Sequence, residues 1–499
     1  MKYVTPEQAG VKSENVLKFI ERLEHKCLSS HSVIMAKGDC VFFEKYWHPF
    51  NKDFKHRLYS ASKSFVSIAI GFLEQDGLIN LDDRIDKYFA DDMKNQTDEN
   101  MRSQTIRDML MMRTGKAIRN WFPAKPDDRV RFYFENDNPQ SRPPGTVFNY
   151  DSGASFVLGV LVERLTGLLL LDYLRVKLFD KIGVSEDISC LKCPGGHSWG
   201  DSAILCKPID FCKVALFVMR KGKWNGEQIL NEKYLTEATS PLSFNNIWGM
   251  NHYETYGYGY QFWRTYANGF LFNGMGDQLG FCFPDQDIIL IYNADNQGKD
   301  LKLSDTVAES FVNYIVNTAS VMQLPDNPIA QKTLSDRTQS LKLQAVSGIS
   351  KNDFEASING LTYELDENPM GIKEFRLNFD DGGGRFEYIN AQGKKSIPFG
   401  RCENVFSKFP QEGYCDEVAT VSTKNHYYKC CASGAWVESE KFFIKVQIID
   451  NYFGSLGITF GFKDDQCGLF MNKVAEDFLG EYEGFAGGKV KHQAENKKY

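Results

Sequence analysis

Tyr59-Ser60-Ala61-Ser62-Lys63-Ser64-Phe65, running into Val66-Ser67-Ile68-Ala69-Ile70-Gly71-Phe72-Leu73, is the stretch on which the reading of this 499-residue chain turns. Its apolar periodicity predicts a helix, with a serine three residues before a lysine at the start. Residues i and i+3 share one helix face, so the Lys63 amine can lie beside the Ser60 hydroxyl. A free hydroxyl is a poor nucleophile, and an adjacent amine is one way to activate it. The helix N-terminus adds positive potential where an oxyanion would develop. Taken alone, Ser-x-x-Lys is common, and its bland meaning is a polar helix start with a solvated lysine. The elements that follow it decide between the two.

Composition narrows the field. Hydrophobic residues make up 42% of the chain and charged residues 25%, the balance of a globular protein rather than a disordered one. A net charge of −7 leaves no basic footprint for nucleic acid. No apolar stretch reaches the ~18 residues expected of a membrane span, and Phe156–Val162 and Leu168–Leu174 read as core segments. The start, Met1-Lys2-Tyr3-Val4-Thr5-Pro6-Glu7, has no apolar signal region, so the expectation is a cytoplasmic protein with mostly reduced thiols. Cys190-Leu191-Lys192-Cys193 before His197 could begin a zinc site. No second pair stands at a matching distance, and buried or incidental thiols are the simpler reading. No cofactor is expected.

Along the chain the pattern is α+β. Glu14–Glu24 reads as an amphipathic helix, and Ser32–Ala36 and Cys40–Tyr46 as a hairpin around Lys37-Gly38-Asp39. The helix after Ser60, the apolar helix Phe156–Thr166 and the helix Phe211–Arg220 follow. Strands are expected at Gly257–Trp263, Gly269–Phe272, Gly280–Phe283 and Ile288–Asn293. The expected architecture is an antiparallel sheet flanked by helices, with a helical lobe inserted, over residues 1–322. Residues 323–349, opening on Gln323-Leu324-Pro325-Asp326-Asn327-Pro328, read as a linker. Residues 350–482 alternate with period two, as at Phe375, Leu377, Phe379 and Ile458, Phe460, Phe462, with turn residues between the runs. That is the signature of a small antiparallel β domain, barrel-like. Residues 483–499, rich in Lys and Gly, read as a disordered tail.

Three further elements stand behind Ser60. The first is Thr105–Gly115. The second is Pro144-Gly145-Thr146-Val147-Phe148-Asn149-Tyr150-Asp151-Ser152-Gly153, leading into an apolar helix. The third is Asn273-Gly274-Met275-Gly276-Asp277-Gln278. With these motifs, residues 1–320 resemble the serine hydrolases related to class C β-lactamases, penicillin-binding proteins, family VIII esterases and 6-aminohexanoate-dimer hydrolases. The later β domain resembles the small barrel that some members carry. The resemblance implies that Ser60 is the nucleophile and Lys63 its lysine. The family's Tyr-x-Asn loop falls on Tyr150-Asp151-Ser152, and its sheet-edge Lys-Thr-Gly or His-x-Gly on Gly274-Met275-Gly276.

Physical chemistry supplies matching roles. Acyl transfer needs a nucleophile, proton carriers and an oxyanion site. Ser60 attacks, and Lys63 and Tyr150 share the proton work. The N–H groups of Ser60 and Asp277 are candidate oxyanion donors, and Gly274 and Gly276 allow close backbone approach to a substrate. Trp121, Phe122, Tyr258, Tyr260, Phe262 and Trp263 are candidate pocket walls, with core packing as the alternative. Two departures from the family matter. Gly274 stands where lactamases carry a lysine that binds the substrate carboxylate, and Ser152 replaces an asparagine amide. The expectation is therefore an acyl-enzyme hydrolase of small carboxylic esters or simple amides. The competing readings are a β-lactamase or D-amino-acid peptidase, and a catalytically silent relative that binds a ligand or partner.

Overall fold

The computed structural model describes residues 1–118, 120–245, 251–298, 301–412, 424–475 and 479–491. The chain divides into two units, with the boundary between Lys342 and Leu343. The first is built on a seven-stranded sheet: Lys2–Tyr3 (β1), Ser30–Lys37 (β2), Cys40–Tyr46 (β3), Trp263–Arg264 (β4), Phe270–Gly274 (β5), Gln278–Phe283 (β6) and Ile288–Ala294 (β7). Their order is β1-β3-β2-β7-β6-β5-β4. All neighbours are antiparallel except β1 and β3.

β6 and β7 are buried along their whole length, which is why they read as continuous apolar runs. One face is covered by Ser13–His25 (α1) and Leu301–Tyr314 (α5). Val16, Phe19, Ile20 and Leu23, the residues at helical spacing, are the ones α1 buries. Phe311 packs edge-on to Phe19 and against Phe283. The other face takes Pro208–Met219 (α4), whose Phe211 lies 5.4 Å from the Phe272 ring. There a side chain at Gly280 would strike Phe211 at 2.8 Å. Ser62–Gln75 (α2) is buried from Ser62 to Leu73. It packs against Ser152–Thr166 (α3), the apolar helix of the inserted lobe.

The second unit is a barrel. Its strands are Thr362–Leu365 (β8), Glu374–Phe379 (β9), Gly383–Asn390 (β10), Gly393–Arg401 (β11), Val405–Glu412 (β12), Tyr427–Glu438 (β13), Lys441–Ile449 (β14), Phe453–Lys463 (β15), Gln466–Ala475 (β16) and Gly484–Val490 (β17). They form one sheet in the order β11-β10-β9-β8-β17-β16-β15-β14-β13-β12. A parallel pairing of β11 with β13, Gly400 opposite Ser433 and Arg401 opposite Gly434, closes nine strands and leaves β12 as an appendage on β13. Closure removes the open edges a sheet would otherwise present. Alternation is visible in the burial itself. Phe375, Leu377 and Phe379 point inward on β9, and aromatic rings fill the interior, with Phe375, Phe386 and Phe460 within 6.0 Å of one another.

Two expectations about boundaries are corrected. Residues 323–349 are not a bare linker, because they contain the helix Pro328–Thr338 (α6), started by the Asn327 side chain, which accepts from Ala330 N. α6 packs on α1 and belongs to the first unit. The stretch expected as a tail from 483 contains β17, which sits between β8 and β16. The glycines that suggested disorder serve close approach instead. A Cβ on Gly488 would come within 2.3 Å of the Glu364 carbonyl.

Candidate active site

Ser60 occupies a single 3-10 turn, Tyr59–Ala61, that runs directly into α2. The turn is entered through Tyr59 at φ +46°, a left-handed conformation unusual for a bulky residue. The Arg57 guanidinium lies 4.6 Å over the Tyr59 ring, and its Nε donates to the Ser202 carbonyl at 3.0 Å. Ile204 N donates to Ser62 Oγ at 3.1 Å. The turn is thus tied to the segment around residues 202–204.

Lys63, in the first turn of α2, is 1% exposed. That rules out a solvated lysine. Its Nζ donates to Ser60 Oγ at 3.1 Å and to the Asp201 carbonyl at 2.8 Å. A buried amine is tolerable only when its hydrogens are satisfied in this way. The Tyr150 ring centroid lies 5.0 Å from Lys63 Nζ. Ser60 and Lys63 therefore meet Tyr150 and Asp201, both far away in sequence, at one place.

Tyr150 is held by the residues around it. The Trp263 ring stacks on it at 5.4 Å, and Tyr258 meets it edge-on at 6.3 Å. Asp151 caps α3 by accepting from Ala154 N at 3.2 Å. Its Oδ2 also accepts from Thr114 Oγ1 at 3.0 Å and Tyr133 Oη at 3.4 Å. Burial pushes the Asp151 carboxyl up to about 6, opposed by these bonds. Ser152 is the first residue of α3, partly exposed, two positions from Tyr150.

The β5–β6 hairpin approaches from the other side. Gly274 pairs with Gln278, and the chain turns through Met275, Gly276 (φ +74°) and Asp277 (φ +70°). The close approach at Gly274 is to protein backbone: a Cβ there would lie 2.0 Å from the Leu58 carbonyl, two residues before Ser60. The hairpin tip is braced from behind. Asn296 Nδ2 donates to Asp277 Oδ2 at 2.7 Å, Asn296 N donates to the Gly276 carbonyl at 3.2 Å, and Gln278 Nε2 donates to the Ala294 carbonyl at 2.5 Å.

The aromatic candidates sort by burial. Trp121, Tyr258, Tyr260, Phe262 and Trp263 are all buried, and Phe122 is exposed. Trp121 and Tyr258, expected as pocket walls, stand behind the site: Trp121 donates its indole N–H to Asp201 Oδ2 at 3.0 Å, and Tyr258 backs Tyr150. Sequence reasoning missed Asp201, which receives Lys63 on a main-chain carbonyl and so leaves no side-chain signature. It also missed Gln261. The Gln261 carbonyl accepts from Ser64 Oγ at 2.7 Å, its Oε1 accepts from Ser155 Oγ at 2.6 Å, and its Nε2 donates to the Met109 and Leu110 carbonyls at 3.1 Å each. Gln261 thereby pins α2, α3 and the 106–110 helix together.

The cysteine cluster folds as a turn. Cys193 N donates to the His197 carbonyl at 3.0 Å, and His197 Nδ1 lies 2.8 Å from Glu163 Oε2. Among the described residues no group of three or more His, Cys, Asp or Glu is placed to hold a metal ion. Nor is any single described helix long and apolar enough to cross a membrane.

Helix-flanked antiparallel sheet, buried Ser-x-x-Lys turn and opposing tyrosine loop together define a β-lactamase-type architecture. The β-lactamase family model matches residues 19–187. A 6-aminohexanoate-dimer hydrolase of Paenarthrobacter ureafaciens is 22% identical over 230 residues, 43% of this chain and 58% of the relative, so somewhat over half of that relative's length is spanned. Two solved structures share the fold. One, from Bacillus anthracis and described as a candidate 6-aminohexanoate-dimer hydrolase, superposes with a TM-score of 0.51 at 15% identity, covering 65% of this chain and 89% of its own. The other, a penicillin-binding-protein homologue from Caulobacter crescentus, has a TM-score of 0.50 at 14% identity, covering 61% and 99%. The chain thus has the β-lactamase/penicillin-binding-protein fold, and residues 19–187 carry the similarity to the β-lactamase family.

Proposed function

We propose that the chain is a serine hydrolase that forms an acyl-enzyme on Ser60 and releases a small carboxylic ester's or simple amide's acyl group to water. The observation that carries this reading is the buried Lys63 amine 3.1 Å from Ser60 Oγ, with the Tyr150 ring beside it. Ser60 Oγ attacks the carbonyl carbon, Lys63 and Tyr150 accept its proton and pass one to the leaving group, and water then cleaves the acyl-enzyme with the roles reversed. The N–H of Ser60, at a helix start, and one from the hairpin tip braced against Leu58 are the candidate oxyanion donors. Among the described residues, position 274 offers a substrate carboxylate no cationic side chain, which favours neutral esters and amides over β-lactams. The name of the Paenarthrobacter relative supports the amide side of this reading.

A fluorophosphonate probe followed by intact-mass spectrometry tests the nucleophile. One adduct is expected, on the peptide carrying Ser60, and none in Ser60→Ala. Labelling that persists in that variant removes Ser60 from the mechanism. A panel of p-nitrophenyl butyrate, the matching anilide and nitrocefin tests the substrate class, with turnover expected for the first two. Nitrocefin turnover equal to that of the ester would return the lactamase reading.

A further inference from the structure

We propose that Asp201 is a positioning residue that holds Lys63 ready for proton transfer, and that Trp121 holds Asp201 in turn; the proposal rests on the serine hydrolase reading above. Asp201 meets Lys63 through its main chain, taking a hydrogen bond from Nζ at 2.8 Å. Its carboxylate is fully buried and turned the other way, accepting from Trp121 Nε1 at 3.0 Å and from Ser202 Oγ at 3.4 Å. The Trp121 ring is fixed on several sides. The Arg129 guanidinium lies 4.9 Å over it and 4.2 Å over Trp199, and Arg129 donates to the Trp121 carbonyl at 2.5 Å. Phe156 of α3 packs 5.4 Å from the same indole.

The cluster reaches Tyr150 as well. A Cβ on Gly153 would come within 3.2 Å of Trp121 and 2.6 Å of Tyr133, so both rings press on the first turn of the helix that follows Tyr150. Tyr133 also donates to Asp151, the cap of that helix. One buried cluster therefore backs Lys63 on one side and the tyrosine loop on the other.

The choice of residue is informative. A neutral amide at 201 could accept the indole N–H equally well, and burying a carboxylate in its place costs free energy unless a cation offsets it. Burial does raise the Asp201 carboxyl, and the charge on Lys63 leads the influences that oppose it. The other charged groups facing Asp201 are Arg129 and Arg57, and Tyr150 faces Lys63 from the opposite element. The Asp201 carbonyl thereby fixes the place of the proton carrier, and the buried carboxylate, held by Trp121, fixes the carbonyl.

The experiment uses the full chain and p-nitrophenyl butyrate, comparing Asp201→Ala, Asp201→Asn and Trp121→Phe with wild type. Asp201→Ala, which leaves the indole N–H without its acceptor, should lower kcat by about 10- to 100-fold, the range that misplacement of a reacting group can cost, with KM nearly unchanged. Asp201→Asn, whose amide oxygen still accepts the indole N–H, should restore most of that kcat. Trp121→Phe, which keeps the ring and loses the N–H, should lower kcat with KM nearly unchanged. Thermal melts report whether each variant is folded. A folded Asp201→Ala with wild-type kcat overturns the proposal. If Asp201→Ala does not fold, a folded Trp121→Phe with wild-type kcat overturns it alone. Fluorophosphonate labelling of wild-type Ser60 separates the two claims: absence of labelling sinks the hydrolase reading, whereas labelling with unaffected variants sinks only the role of Asp201.

Discussion

Lys63 is the side chain from which the chemistry can be argued most directly, because burial leaves its bonds well defined: the Ser60 hydroxyl and the Asp201 carbonyl. A group that moves protons affects turnover more than affinity. Lys63→Ala and Tyr150→Phe should each lower kcat by about 10²–10⁴-fold, the usual worth of a general acid or base, with KM little changed; steady-state kinetics on a p-nitrophenyl ester checks this. Near-native kcat with a raised KM would remove either residue from proton transfer. Asp151 gives a prediction about stability. Its carboxyl is pushed from 3.8 to about 6 by burial, so between those values the folded state binds the proton that the unfolded state has lost. Stability contributed by this group is greatest below 3.8 and falls as pH rises through 6, by up to about 3 kcal/mol. Asparagine caps a helix as well as aspartate does and does not titrate. Asp151→Asn should therefore gain stability relative to wild type as pH rises from 4 to 7, read from urea midpoints. A constant difference across that range would show that Asp151 stays ionised.

At the scale of elements, what could be read from sequence was whatever side chains report. The periodicity of α1 and the Ser60 helix, the β2–β3 hairpin and the alternation of β9 and β15 are written in apolar spacing, and the structure has these elements where that spacing put them. The Ser60–Lys63 pair was legible because i and i+3 on a helix can meet only one way, and the Tyr150 loop because a motif leads straight into an apolar helix. What escaped was carried by backbone. Asp201 acts on Lys63 through a carbonyl, Gly274 is set by Leu58, and β17 is a strand of glycines and small residues with little alternation to betray it. Burial of Trp121 and Tyr258 was also hidden, since an aromatic in an irregular segment has no period to say which way it faces. The reading of β17 can be tested at Gly488. Gly488→Val places a side chain 2.3 Å from the Glu364 carbonyl. It should destabilise the barrel by several kcal/mol, in the range of severe overpacking or more, seen as a lowered melting transition with fluorophosphonate labelling of Ser60 retained. An unchanged melt would mean that β17 contributes nothing to closure.

On the scale of the whole molecule, the division between Lys342 and Leu343 separates two units that each own a hydrophobic core. Residues 1–342 and 343–491 expressed separately should each unfold cooperatively, and the second should give a β-type far-UV spectrum. An unfolded 343–491 fragment would show that its core depends on the first unit. The place of β17 adds a consequence of another kind. The nine-stranded ring is finished by the last of its strands to leave the ribosome, pairing with β8, the first, some 120 positions upstream by number. At the usual ~5–20 residues per second of synthesis, the first unit has all of its sequence about 7–30 s before the ring can shut. Until β17 arrives, β8 lacks one of its two neighbours, as does β16 once it is made. A nascent chain of this kind should need chaperone cover late in its synthesis, at a point when the Ser60 turn has already been built.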